Sequence, residues 1–284
     1  MASHPFRFGV VAALPPQNQT WAEQARSLET AGYSSLLVPD TLNTYATFPA
    51  LAAAAAVTST LRLGTYVLAV PNHRPARIAH EAVTLDAMSG GRLELGLGVG
   101  RPDAAREADA LGVAFGSGAE RLSLLRETIQ AVLDRCAASA GPLRPVQLPH
   151  PPIMLAGAGA KLLRLAAQHA DIVAFGMPAP STEDDLAAKS AELREYAGAR
   201  FDDLELAFNI TVVGGEPAPW LKHVIGMDPL ELLKNGAATA VDGTPRQMAD
   251  TLLARRERTG VSYVQVSAMF AEKFAPVVDL LAGR

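Results

Sequence analysis

Leu61 to Arg101 reads LRLGTYVLAVPNHRPARIAHEAVTLDAMSGGRLELGLGVGR, and this stretch decides the fold. Its opening run, Leu61 to Val70, is too short for a helix and too continuous for a half-exposed strand. Strands covered on both faces have this pattern. Pro71 to Pro75 then breaks the chain with two prolines and an asparagine. Ala76 to Met88 restores a helical period, placing Ile78, Ala82, Leu85 and Met88 on one face. Ser89-Gly90-Gly91 stops that helix, and Leu93 to Val99 reads as a second buried strand. A strand, crossover helix and strand in this order make the two strands parallel.

The glycines qualify this unit. Gly64 lies inside the first strand, and the second runs out through Gly96, Gly98 and Gly100 to Arg101. Glycine within a strand marks a bulge or a close approach by a ligand or backbone. These lie near the strand ends, where sites in parallel α/β proteins form. The alternative is that they only relieve crowding inside a barrel.

Outward from this unit the same alternation repeats. Phe6 to Ala12, Ser35 to Pro39, Ile153 to Ala156, Ile172 to Gly176, Leu204 to Val213 and Tyr263 to Ser267 read as further strands. The helical segments are Trp21 to Ala31 behind Thr20, Phe48 to Ser59, Ala119 to Cys136, Ala160 to His169, Glu183 to Ala197 behind Thr182, Pro245 to Thr259 and Phe274 to Ala282. Pro102 to Gly118 is long and polar enough to be an active-site loop. Gly214 to Gly243 reads as irregular, with a short helix near Leu230. Eight strands separated by helices in 284 residues, close to the ~250 of such folds, predict an α/β architecture. The expectation is one (β/α)8 TIM-barrel domain over residues 1–284, with an open doubly wound sheet as the alternative.

Composition narrows the function. At 49% hydrophobic residues the chain can build a large core, and a net charge of −4 without a basic run argues against nucleic acid. A single cysteine, Cys136, excludes an intrachain disulfide and fits a reducing compartment. Its apolar-periodic surroundings make it buried filler rather than a nucleophile. Ala50 to Val57 is too short to span a bilayer, and no charged n-region followed by an apolar stretch opens the chain. These features predict a cytoplasmic protein without membrane contact.

Asp40 leaves the second strand at a position that is catalytic in barrels, although a turn or N-cap aspartate would look the same. Gly157-Ala158-Gly159 joins a strand to a helix N-terminus, where free N–H groups and the helix dipole favour a phosphate. Leu162 stands where the third glycine of a dinucleotide fingerprint belongs, and a plain tight turn is the alternative. The six histidines, His73 in a loop and His80 in a helix among them, show no zinc-site spacing, so no metal centre is expected. No serine occupies a GxSxG elbow, and Lys161, Lys189, Lys222, Lys234 and Lys273 all read as helix or loop residues. A barrel without nucleophile or metal borrows its chemistry from an organic cofactor.

PNHRPARIAHEAVTLDAMSGGRLELGLGVG resembles the most recognisable segment of the luciferase-like flavin and deazaflavin oxidoreductases. WAEQARSLETAGYSSLLVPDTL, PPIMLAGAGAKLLRLAAQHADIVAFG and GTPRQMADTLLARRERTGVSYVQV resemble other parts of that family in the same order. The resemblance implies a (β/α)8 barrel holding coenzyme F420, or FMN, at the strand C-termini. It implies a bulge at Tyr66-Val67, often with a non-prolyl cis peptide, behind the cofactor ring. That assigns Gly64 to the bulge rather than to crowding. It also makes Asp40 the ring-contacting acid, and Gly157, Ala158 and Gly159, with Arg164 beyond them, the phosphate site. Thr65, Tyr66, Val67, Val99 and Gly100 complete the expected cofactor contacts. Arg101 would hold an anionic substrate or the cofactor tail.

Two positions depart from the family. Thr41 follows Asp40 where many members have histidine, and Arg101 stands where some F420-dependent members carry a carboxylate. A sugar-phosphate dehydrogenase is thereby disfavoured. Asp86 and Arg92 read as a structural ion pair, and Trp220 and His223 as candidate covers of the substrate face. The resulting expectation is an F420-dependent oxidoreductase moving a hydride between the deazaflavin and a small organic substrate. The alternatives are an FMNH2-dependent monooxygenase fed by a separate reductase and a non-catalytic flavin-binding barrel. The resemblance allows a homodimer, although no dimer surface is legible.

Overall fold

The computed structural model describes residues 4–101, 104–138, 142–214, 222 and 226–284. Trp220 and His223 lie outside the described residues. The strands are β1 (Arg7–Val11), β2 (Ser35–Val38), β3 (Arg62–Thr65), β4 (Leu68–Ala69), β5 (Leu93–Gly98), β6 (Ile153–Ala156), β7 (Ile172–Phe175), β8 (Glu205–Ile210), β9 (Val212–Val213), β10 (Ala240–Val241) and β11 (Val261–Ser267). The sheet runs β3-β2-β1-β11-β8-β7-β6-β5-β4, and β3 also pairs with β5, so it closes on itself. Every pairing is parallel. With β3 and β4 as two halves of one stave, this is the eight-stave barrel that the sequence predicts. β9 and β10 form a separate parallel pair.

The third stave is where the sheet departs from regularity. Its apolar run is interrupted at Tyr66-Val67, which are joined by a cis peptide bond. Before the break, β3 pairs with β2; after it, β4 pairs only with β5.

The helices α1 (Trp21–Thr30), α2 (Thr47–Ala55), α3 (Pro75–Met88), α4 (Ala105–Ala110), α5 (Gly118–Ala137), α6 (Ala160–His169) and α7 (Glu183–Ala197) are followed by Pro229–Lys234, Pro245–Thr259 and Ala271–Leu281. Thr20, Ser117, Thr182 and Thr244 each start a helix through a capping box closed by Glu23, Glu120, Asp185 and Gln247. Such a box satisfies the first free N–H groups of the helix.

Three expectations need correction here. Ile78, Ala82 and Leu85 are buried as the period requires, but Met88 is 67% exposed because α3 ends there, past the edge of the core. The loop after β5 contains the short helix α4. Asp86 and Arg92 do not pair with each other. Asp86 accepts from the Val146 and Gln147 backbone N–H groups at 2.6 and 3.0 Å. Arg92 donates to the carbonyls of Ala55, Leu61 and Ser89. Both residues fasten loops whose carbonyl and N–H groups would otherwise lack partners.

Two cores result. The larger lies between the sheet and the helices; a smaller one fills the barrel with Leu37, Met154, Ile172, Ala174, Ala207 and Tyr263. At the end where the strands begin, Glu94, 1% exposed, sits between Arg7 and Arg62 with both ion pairs at 2.5 Å. Tyr263 donates to its other oxygen at 3.1 Å. This ionic plug closes the bottom and leaves the strand exits as the open end.

On the outer ring, Glu29 ties α1 to the start of β3. Its Oε1 accepts the backbone N–H groups of Ser59, Thr60 and Leu61. Partial burial pushes its pKa up, but these N–H groups and the Thr60 hydroxyl outweigh it and lower the value from 4.5 to about 2. A carboxylate depressed on folding contributes stability that is intact above its ordinary value and fades as pH falls through the folded one. Global stability should therefore fall between pH 4.5 and about 2, and Glu29→Gln should flatten that acid limb in urea titrations. An unchanged slope in the variant would assign acid sensitivity to other carboxylates.

Candidate functional site

The exits of β2, β4, β5, β6 and β7 surround a cleft of about 480 Å³. Asp40 and Thr41 follow β2, Tyr66 and Val67 come from the break, and Val99, Gly100 and Arg101 follow β5. Gly157 and Gly159 follow β6, and Gly176 follows β7. Most of the expected site residues are thus gathered in one place. Three are not among the cleft-lining residues: Thr65, Ala158 and Arg164.

Thr65 is fully buried and works on the barrel wall. Its hydroxyl donates to the Gly96 carbonyl and accepts from the Gly96 N–H, both at 2.7 Å. It stitches β3 to β5 where the ladder is about to break. Arg164 points away along the exposed side of α6. Its guanidinium stacks 4.0 Å from the Tyr196 ring centroid and donates to the Tyr196 hydroxyl at 3.3 Å. It fastens α6 to α7 and does not reach the cleft. Ala158 is half-buried beside the wall.

The strand glycines also resolve. A Cβ at Gly64 would lie 2.3 Å from the Leu37 side chain, and one at Gly96 would lie 2.0 Å from the Thr65 carbonyl oxygen. Crowding within the barrel explains both, contrary to the assignment of Gly64 to the bulge. A Cβ at Gly98 would lie 2.8 Å from the Val67 side chain, so this glycine makes room for the residue that walls the cleft.

Asp40 is held from two sides. Its Oδ2 accepts the Ala69 N–H at 2.9 Å and faces His73 Nε2 at 2.8 Å. A carboxylate can only accept, so Nε2 carries the hydrogen. Asp40 thereby joins the exit of β2 to β4, across the gap that opens after Thr65. The imidazole beside this aspartate comes from the loop after β4, while Thr41 turns its hydroxyl toward Thr44. Sequence reading left His73 as a loop residue. The one signal available was that it follows the strand adjacent to Asp40's own.

The other end of the cleft is formed by the start of α6. Gly159 is the N-cap of α6, at φ −75° and ψ 139°, and no side chain caps the helix. The Leu162 N–H is taken by the Gly159 carbonyl at 2.9 Å, so among the described residues the N–H groups of Ala160 and Lys161 are the ones at this terminus left without an acceptor. Gly157 serves differently from the expectation, since its own N–H donates to Ala174 O at 2.9 Å. It makes room instead: at φ +150° it packs against Leu162, and a Cβ on neighbouring Gly176 would sit 3.2 Å from its Cα. Between the two ends, Val67, Ala69, Val99, Ala156 and Leu162 supply apolar wall. A flat ring with an anionic tail fits this donor set and this glycine cradle.

Two more groups fix the polarity. The Tyr66 hydroxyl donates to Gln265 Oε1 at 2.9 Å, and burial pushes the phenol well above its ordinary value, so it stays protonated. Arg101, on the rim, donates to Glu107 Oε1 at 2.7 Å, which offsets its charge toward any anion.

The chain belongs to the luciferase-like monooxygenase family, whose profile matches residues 5–219. An F420-dependent glucose-6-phosphate dehydrogenase of Nakamurella multipartita is 28% identical over 241 residues, spanning 75% of this chain and 69% of that protein. Among solved structures, the coenzyme F420-dependent tetrahydromethanopterin reductase of Methanopyrus kandleri superposes with a TM-score of 0.77 at 17% identity, covering 98% of this chain and 99% of its own. A riboflavin lyase structure with modified FMN and riboflavin superposes with a TM-score of 0.75 at 15% identity, covering 98% and 92%. At these identities the two structures speak for the fold. Among the described residues, no helix is long and apolar enough to cross a membrane.

Proposed function

We propose that this protein is an F420-dependent oxidoreductase that moves a hydride between the deazaflavin and a small organic substrate. The observation that carries the reading is a single cleft combining an apolar slot, an acid at its wall and an uncapped helix N-terminus. The F420-dependent relative supports the deazaflavin over FMN. Bound there, the deazaflavin supplies the hydride-transfer chemistry that the side chains lack.

The residues have separable tasks. Val67, Ala69 and Val99 exclude water from one face of the slot. Asp40 accepts a hydrogen bond from the ring or from a bound polar group. Tyr66, locked as a neutral phenol, keeps the floor beneath them uncharged. The first turn of α6 binds the phosphate of the tail. Arg101 and Glu107 form a paired rim past which the substrate enters.

Parallel fluorescence titrations with F420 and FMN test the assignment. F420 should bind more tightly, because the helix terminus and the open cleft accommodate the longer anionic tail. Equal or weaker F420 binding would favour the second reading, an FMNH2-dependent monooxygenase supplied by a separate reductase. The family's description as luciferase-like monooxygenases supports that alternative. Oxygen consumption on adding reduced FMN would be its signature.

A further inference from the structure

We infer that His73 is a positioning residue: it locks the Asp40 carboxylate so that one oxygen faces the cleft as an acceptor, and a bound ring must offer a donor there. This rests on the proposed cofactor site and adds a second residue to it, one that does not line the cleft. A carboxylate held at one oxygen by one donor can still turn about its terminal torsion, which is broad and two-fold. Here two donors meet the same oxygen, Oδ2, from Ala69 and His73. Among the described residues no hydrogen bond reaches Oδ1, and Asp40 lines the cleft.

His73 is itself fixed. A single 3-10 turn, Val70–Asn72, starts directly after β4, and His73 closes it by donating its N–H to the Val70 carbonyl at 3.1 Å. The imidazole is thus delivered from a rigid turn, 28% exposed against 17% for the Asp40 side chain. Thr41 and Thr44 turn their hydroxyls toward each other and nearby carbonyls, so neither takes this role.

The test compares His73→Leu and His73→Gln in F420 and FMN titrations of the whole chain, with thermal melts to confirm equal folding. Leu removes the donor; Gln restores an N–H of similar reach. His73→Leu should weaken cofactor binding about tenfold, the scale of one lost hydrogen bond to a charged group, and His73→Gln should recover most of it. In an Asp40→Ala background, His73→Leu should then have little further effect, because the two act through one contact. Wild-type affinity in His73→Leu would overturn the inference while leaving the cofactor reading intact. So would equal losses in the Leu and Gln variants, or additive losses with Asp40→Ala. A wild-type protein that binds neither F420 nor FMN would overturn both.

Discussion

Glu94→Ala is expected to cost about 3–5 kcal/mol of folding stability, the scale of breaking a buried ion pair by removing one partner. Glu94 is 1% exposed and is contacted by Arg7, Arg62 and Tyr263. Truncation would leave the largely buried Arg7 with only Glu205 to answer it, and would strip Tyr263 of its acceptor there. The pH dependence has a definite sign. Burial alone would raise the Glu94 pKa, but the Arg7 and Arg62 guanidiniums outweigh it and hold the carboxyl below its ordinary value. Its contribution is therefore present above the normal carboxylate range and is lost as pH falls through the depressed folded value. Urea denaturation at neutral pH measures the cost. A loss under about 1 kcal/mol, the range of exposed pairs, would mean that the plug only fills space.

Gly159→Asp should weaken cofactor binding by about 1–3 kcal/mol, with charge repulsion added, while leaving the barrel folded. The position tolerates a side chain: its backbone is at φ −75°, and an added Cβ meets nothing within 4 Å. Aspartate is also a favoured N-cap, so α6 should gain a few tenths of a kcal/mol from it. The same carboxylate would occupy the N–H groups assigned to the phosphate. Stability and affinity should thus move in opposite directions. Isothermal titration with F420, set against thermal melts, separates the two. Unchanged affinity in the stabilised variant would place the phosphate elsewhere.

Much of the barrel was legible because parallel, doubly covered strands read as unbroken apolar runs with turn residues between them. Ala160–His169 and Pro245–Thr259 were read with the bounds found, since each couples a clear start to a steady period. Leu61 to Val70 read as one strand because apolarity does not distinguish a regular stave from a broken one. Only the family resemblance pointed to Tyr66-Val67. Site residues fared according to sequence distance. Asp40 and the glycines after β6 could be placed from their strand exits alone. Partners from other parts of the chain leave no local trace: His73 is 33 positions from Asp40, and Tyr196 is 32 from Arg164. Hence the sequence leaves His73 as a loop residue and offers Arg164 as a phosphate ligand, although Arg164 lies against Tyr196 and is not among the cleft-lining residues.

The bond from the Ala69 amide to Asp40 makes a side chain stand in for a missing strand. Such a rung can open without unzipping its neighbours, since Leu68 and Ala69 stay paired with β5. The Ala69 amide is therefore a native reporter of the cleft. Its proton should exchange slowly while the carboxylate is seated, and more slowly still once a ligand on the other oxygen holds the carboxylate there. A single resolved resonance would then follow occupancy of the site without a label, a coloured cofactor or a known substrate.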